Sequence, residues 1–382
     1  MTTLKTSEIP IIELCGSPRE RGRCYGETAK PLIAQVVDAW RADLGNFGEN
    51  TISDKPLDLD DYLNAFFSQT DYLSAIKQWT PNLLEEVKGI AEGSGQTFDN
   101  ILGLQLMDEE WVFGLRHRLN RPITKCTAFG IPDQANGVSY AGQNMDVPSW
   151  VEGKQVLLRV MPTETSPEAL VFSIAGSLGL NGLNANGLGI TCNTLVQLNE
   201  ATNGLPVLFV LRSILEKQSI DLAEQYLRQI PHASGQNYIL SSPGDVRCLE
   251  CCGTSVVSYA PGTYQGRVFH TNHPLVNQDE SDVLPPEKRR SKNTVVRLDS
   301  ISSRLGDTDN AITLRDIKAA LAAHDDPDNP VSRSINPDNI GNSIGYTAGA
   351  SIYELGDVPR LHLSAGPPCE TAFGVFEFSA KA

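Results

Sequence analysis

The chain of 382 residues is 40% hydrophobic and 20% charged, with a formal net charge of −15. That apolar content can build a sizeable core, and the length fits one large domain or two ordinary ones. The negative field repels nucleic acid and anionic membranes, so the basic clusters at 116–121 and 288–290 read as solvated surface.

At the N-terminus, MTTLKTSEIPIIEL lacks the apolar core of a signal peptide, and no run of ~18 apolar residues could span a bilayer. The first third then reads as helical. In 60–79, Tyr62, Leu63, Phe66, Phe67, Leu73, Ile76 and Trp79 fall near helical spacing. Pro81 opens a second helix that ends in glycines, and Thr97 caps a third over 97–111. From Cys126 the texture changes to short alternating runs: CTAFGI, VSYAGQN, QVLLRVMP, ALVFSIAG and GLGITCNTL. A helical pair (206–217 and 219–230) follows, and then the strands QNYILSS, VRCLEC and GRVFHTNH. Segments 287–308 and 313–323 read as helices, 277–287 and 325–341 as loops, and the tail as strands. Strands grouped around helical pairs, without a βαβ rhythm, predict an α+β fold with helices on antiparallel sheets. One compact unit with a helical N-terminal segment fits better than two domains.

The eight cysteines are too sparse for a secreted disulfide framework, which predicts a reduced, cytoplasmic protein. Cys248-x-x-Cys251, followed by His270-x-x-His273, has the outline of a zinc module. Strand alternation turns Cys248 and Cys251 to opposite faces, which argues against it. No phosphate-binding loop, dinucleotide fingerprint or metalloprotease helix appears, so no cofactor or metal is expected.

Cys126 has two readings. A free cysteine at the start of a strand is commonly a small core residue. A thiolate is also a strong acyl nucleophile once a base takes its proton, and His270 and His273 are the polar cluster nearest a strand end.

The motif KCTAFG…GQNMD resembles the N-terminal-nucleophile (Ntn) hydrolases. More narrowly it is similar to the acyl-CoA:6-aminopenicillanate acyltransferase family, distantly related to bile-salt hydrolases and penicillin V acylases. RERGRCYGE, NANGLGITCNTL, ASGQNYILSS, HTNHP and YTAGASIYEL…LHLSAGPP resemble further family segments in the same order. The resemblance implies a single domain over 1–382 with the four-layer αββα Ntn-hydrolase sandwich.

It also implies a zymogen that cuts its own backbone between Lys125 and Cys126. A helical segment 1–125 and a nucleophile-bearing segment 126–382 would then remain associated. The freed α-amine of Cys126, with an ordinary pKa of ~8, would act as base for its own thiol. By the same resemblance, Asp146 orients that amine after the Asn136-Gly137 turn returns the chain. Asn272, beside His273, supplies part of an oxyanion hole, and Asn193 matches a second site asparagine of the bile-salt hydrolase branch. Arg333 is the nearest match to an arginine that the family brings to the nucleophile from the last third of the chain. Two positions depart from the pattern: Lys125 stands where the penicillin enzymes have glycine, and Gln143 where bile-salt hydrolases place an arginine.

The expected function is hydrolysis or transfer of an acyl group on a small linear amide through a Cys126 thioester. The alternatives are a CoA-dependent N-acyltransferase of the penicillin type and a non-catalytic Ntn-fold binding protein. Asp108, Glu109, Glu110 and Trp111 are in reach of the substrate pocket. Homo-oligomerisation stays open.

Overall fold

A computed structural model of the chain describes residues 4–5, 8–48, 58–117, 126–132, 137–285, 289–307, 311–335 and 345–379. Lys125 and Asn136 lie outside the described residues. The chain begins with a short strand, β1 (Ile11–Leu14), and continues through helices α1 (Pro18–Thr28), α2 (Lys30–Gly48), α3 (Leu59–Gln69), α4 (Tyr72–Trp79), α5 (Pro81–Ser94), α6 (Phe98–Gln105) and α7 (Met107–Arg116).

Local chemistry sets the helix ends. At the start of α1, the Glu20 carboxylate accepts both the Ser17 N–H at 3.0 Å and the Ser17 hydroxyl at 2.6 Å. Pro81 opens α5, and Gly95 ends it in the left-handed region at φ +73°. The helix expected over 60–79 is two helices. The Thr70 hydroxyl bonds back to Phe66 O at 2.8 Å, and the Asp71 N–H leaves the helical ladder for Thr202 O at 2.6 Å. A side chain and a distant carbonyl together take the groups that a continuous helix would have paired. The helix expected over 97–111 likewise divides at Leu106, into α6 and α7.

The glycines and tyrosine of RERGRCYGE have a packing role. A Cβ on Gly22 would lie 1.9 Å from Glu86 O, and one on Gly89 would lie 2.2 Å from Arg19 O. Helices α1 and α5 therefore touch backbone to backbone, which only the missing side chains allow. Tyr25 Oη accepts the Gly176 N–H at 2.8 Å and sits 3.2 Å from Ile174 O, pinning α1 to the strands.

The remaining elements are β2 (Cys126–Ile131), β3 (Ser139–Pro148), β4 (Gln155–Val160), β5 (Ala169–Ile174), β6 (Asn181–Asn184), β7 (Gly189–Thr194), α8 (Val207–Leu215), α9 (Ile220–Gln229), β8 (Gln236–Ser242), β9 (Asp245–Cys251), β10 (Val256–Tyr259), β11 (Val268–His270), α10 (Lys292–Leu305), α11 (Leu314–Leu321), β12 (Gly345–Leu355), β13 (Arg360–Ser364) and β14 (Gly374–Glu377). They form an eight-stranded sheet, β1-β4-β5-β6-β7-β8-β9-β10, and a six-stranded sheet, β11-β2-β3-β12-β13-β14. Every pairing is antiparallel except β1 with β4.

Strands β2 and β3 face β7 and β8 across the sandwich, α8 and α9 pack on the larger sheet, and α10 packs on β2 and β11. Two facing sheets with helices packed on them make the α+β, four-layer αββα sandwich expected above. Being covered on both faces, β2, β5 and β7 are buried at every position and read as near-continuous runs. One apolar cluster draws on both halves of the chain, from Ile12 through Cys126 to Leu363. Among the described residues, no helix is long and apolar enough to cross a membrane.

Candidate active site

Cys126 is the first residue of β2 and is 4% exposed. The β2–β3 hairpin pairs Cys126 with Met145 and Thr127 with Asn144, so Asp146 arrives one residue beyond the cross-strand partner of Cys126. Across the other edge of β3, Asp146 pairs with Thr347, just before a register shift to Gly349. The Thr347 hydroxyl donates to Asp146 Oδ1 at 2.6 Å.

The backbone N–H of Cys126 donates to Asn272 Oδ1 at 2.7 Å. Its sulfur lies 3.5 Å from Met145 Sδ. Asn272 Nδ2 donates to Thr194 O at 3.2 Å. The asparagine sits just past β11, in the HTNHP turn, and that turn is held by Glu250. The Glu250 carboxylate receives the N–H groups of Leu275, Val276 and Asn277 and bonds His270 Nε2 at 2.8 Å. Burial alone would raise the Glu250 carboxyl; His270 and the N–H donors outweigh it and hold the group below its usual range.

Cys126 opens onto a cleft that is continuous with solvent. Its walls are mostly apolar and include Trp40, Trp111 and Trp150, Ile174 at the end of β5, Leu180 just before β6, and Val207, Leu208 and Leu211 of α8. Asp108, Glu110 and Trp111 of α7 line it, as does Asp146. Glu109 does not. Helical spacing turns it inward, where Oε1 receives Val207 N at the start of α8 and the Ser234 hydroxyl.

Burial pushes the Cys126 thiol up to about 12, and the nearby Asp146 charge adds to the rise. The Asp146 N–H and the Arg297 cation pull the other way. The thiol thus needs a base to react at neutral pH. Neither expected histidine fills that role. His270 is held between Glu250 and Thr271 O, and His273 Nδ1 faces Thr294 Oγ1 at 3.0 Å. Burial, with the neighbouring His270 and Arg290 charges, pushes His273 down to about 4.

Asn193 does not line the cleft. Along β7, Cys192 and Thr194 face it, so alternation turns Asn193 to the other side. There it accepts Asn237 Nδ2 at 3.0 Å, in a chain that continues to the Cys248 thiol. Gln143 spans the sheets, with its side chain bonded to both the N–H and the C=O of Cys192. Arg333 stands behind Asp146: its N–H donates to Thr347 Oγ1 at 2.9 Å, while Nε and Nη2 are buried without a hydrogen-bond partner. Among the described residues, no group of three or more His, Cys, Asp or Glu is placed to hold a metal ion.

One residue at the centre was missed from sequence. Arg297 of α10, fully buried, donates from Nη1 to Cys126 O at 2.5 Å and Thr127 Oγ1 at 2.8 Å, and from Nη2 to Asn272 Oδ1 at 3.0 Å. A signal existed. On α10, Asn293, Thr294, Arg297, Ser300, Ile301 and Leu305 form the buried stripe, so an arginine occupies a core position of an amphipathic helix.

Solved structures with a related course include a variant of the conjugated bile acid hydrolase of Clostridium perfringens, at 13% identity and TM-score 0.44, covering 66% of this chain and 97% of that one. The N-acylethanolamine-hydrolyzing acid amidase ortholog of Caenorhabditis elegans aligns at 12% identity and TM-score 0.40, covering 59% and 92%. Penicillin V acylase of Agrobacterium tumefaciens aligns at 15% identity and TM-score 0.40, covering 63% and 82%. No curated protein sequence matches the chain. The family model described as acyl-coenzyme A:6-aminopenicillanic acid acyl-transferase matches residues 133–350, more than half of the chain. That span begins just after β2 and takes in Asp146, Asn272, Arg297 and Arg333. The chain belongs to this family and is an enzyme of the amide hydrolase or acyltransferase type.

Proposed function

We propose that the chain is a self-processing cysteine amidohydrolase, in which scission between Lys125 and Cys126 frees the amine that activates the Cys126 thiol. The observation that carries this reading is the 2.7 Å bond from Cys126 N to Asn272 Oδ1 at the mouth of an apolar cleft. It holds the nitrogen beside the sulfur by a side chain rather than a strand ladder, so the nitrogen keeps its place when it becomes an amine. The raised thiol and the absence of a histidine on the sulfur, among the described residues, leave that amine as the nearest base.

In the precursor the thiol attacks the Lys125 carbonyl, the peptide nitrogen leaves with a proton, and water hydrolyses the thioester. In turnover the Cys126 amine takes the thiol proton as sulfur attacks the substrate carbonyl. The amine then protonates the departing nitrogen, and water releases the acid from the thioester. Asp146 orients the amine, and Asn272 serves the oxyanion. Arg333 adds positive charge from behind Asp146. The core shared by both segments would keep 1–125 and 126–382 together after the cut. The cleft suits a linear amide with an apolar acyl or amine part, the class to which the acylase and amidase neighbours point. The family description favours a second reading, transfer of the acyl group to an amine rather than to water.

Intact-mass spectrometry tests the proposal. Wild type should give two fragments parting before Cys126, while Cys126→Ala should remain one chain and lose all N-acyl amide cleavage. A mutant that is still cut, or still active, would end the mechanism. A wild-type chain that stays whole would favour a binding role. Adding a primary amine to the assay separates the two readings: free acid alone marks a hydrolase, and a new amide marks a transferase.

A further inference from the structure

We infer that Arg297 is the positioning residue that keeps the Cys126 amine unprotonated at neutral pH and locks Asn272 in one orientation. This rests on the amine reading above and adds the group that makes it work.

The geometry is a closed ring. Asn272 Oδ1 receives both the Cys126 N–H and Arg297 Nη2, while Arg297 Nη1 holds the Cys126 carbonyl and Thr127 Oγ1. Flipping the Asn272 amide would turn its NH2 against two donors at once. The side chain is therefore fixed with Nδ2 on the Thr194 side. Arg297 Nε is in turn fixed by Asn293 Oδ1, one helical turn back, at 2.9 Å.

The charge balance explains why a cation is needed there. The groups facing Cys126 are Asp146 from β3, Asp108 from α7, the Cys192 thiol from β7 and Arg297 from α10. Asp146 and Asp108 both favour an ammonium over a free amine, and an ammonium cannot take the thiol proton. Among the described residues, Arg297 is the cation that opposes them at contact range, with Arg333 farther back and His273 neutral beside it. Its own partners among the described residues are neutral oxygens, so no carboxylate is in contact to cancel its field. Burial lowers the guanidinium to about 10, which leaves it charged across the working range. Arg297 neither takes nor gives a proton; it sets which way the thiol proton moves.

The test compares Arg297→Gln, which keeps polarity but loses charge, with Arg297→Lys, which keeps charge but loses the fork. The acidic limb of kcat/KM is measured on enzyme shown by intact mass to be cut. Arg297→Gln should move that limb upward by about one pH unit. Arg297→Lys should leave it in place while kcat falls. If Arg297→Gln stays uncut it has no free amine, and Cys126 alkylation by iodoacetamide, read by peptide mass, then reports the same lost field at the thiol: its pH dependence should lie above that of uncut Arg297→Lys. Profiles of Arg297→Gln that superimpose on wild type would overturn the inference, even if activity drops. A wild-type chain that is never cut would sink the amine reading itself, and this inference with it.

Discussion

Two buried arginines of this protein are handled in opposite ways. Arg212 of α8 meets the Glu86 carboxylate at 3.1 Å and 3.3 Å and also donates to Leu178 O. Glu86 is shared with Arg21 at 2.7 Å, so one carboxylate ties α1, α5 and α8 together. Arg297, equally deep, bonds among the described residues only to carbonyl, hydroxyl and amide oxygens. A cation matched by a carboxylate spends its field locally and holds helices in place. A cation on neutral oxygens leaves its field to act on whatever ionises nearby, and here that is Cys126.

The largest effect should fall on the matched side. Glu86→Ala strands two buried guanidinium groups and should cost about 3–5 kcal/mol of unfolding free energy in urea titrations. Burial would raise the Glu86 carboxyl, but Arg212 and Arg21 outweigh burial and hold it below its usual value. With a depressed folded value, its contribution is complete above the unfolded value of ~4.3 and fades as pH falls through the folded one. The gap between wild type and Glu86→Ala should therefore close only in acid. A gap that does not depend on pH would contradict the ion-pair account.

On the other side of the comparison, Asn272→Ala should lower kcat by ~10²–10³-fold while the fold survives, because it removes a donor proposed for the oxyanion. Unchanged kcat with a lowered melting temperature would make Asn272 a purely structural anchor.

Glu109 is the smaller, mirror-image case: a buried carboxyl with no cation on it among the described residues. Burial, with Asp108 beside it, pushes Glu109 up to about 8. A raised acid is most favourable to folding below its unfolded value of ~4.3, and that benefit is lost as pH rises toward the folded value. Glu109→Gln holds the neutral form permanently. It should raise the melting temperature by ~2–4 °C at pH 8.5, with the difference vanishing near pH 4. Equal melting curves at both pH values would show that Glu109 is already ionised at no cost.

Much of the fold was legible beforehand. The alternating run from Cys126, the turn at 136–137 and the return through Gln143-Asn144-Met145-Asp146 predict a hairpin, and β2 and β3 form one. Thr97 caps α6 and Gly95 ends α5, as their residue types dictate. The break at Thr70 was not legible, because the carbonyl that draws off Asp71 N–H belongs to Thr202, far along the chain. Within the site, Cys126, Asp146 and Asn272 stood out through motif resemblance, and the folded chain places them together. Asn193 carries an equal motif resemblance, yet strand alternation turns it away from the cleft.

What the sequence alone determined were the local periods: which segments are helix or strand, where they cap and turn, and that a cysteine begins a buried strand. Such properties depend on neighbours a few residues apart. Only the tertiary structure decided that the glycines of α1 meet those of α5, that three tryptophans share one cleft, and that Arg297 reaches the carbonyl of Cys126. Those arrangements join residues far apart along the chain, and their energies come from burial and field, which no local pattern encodes.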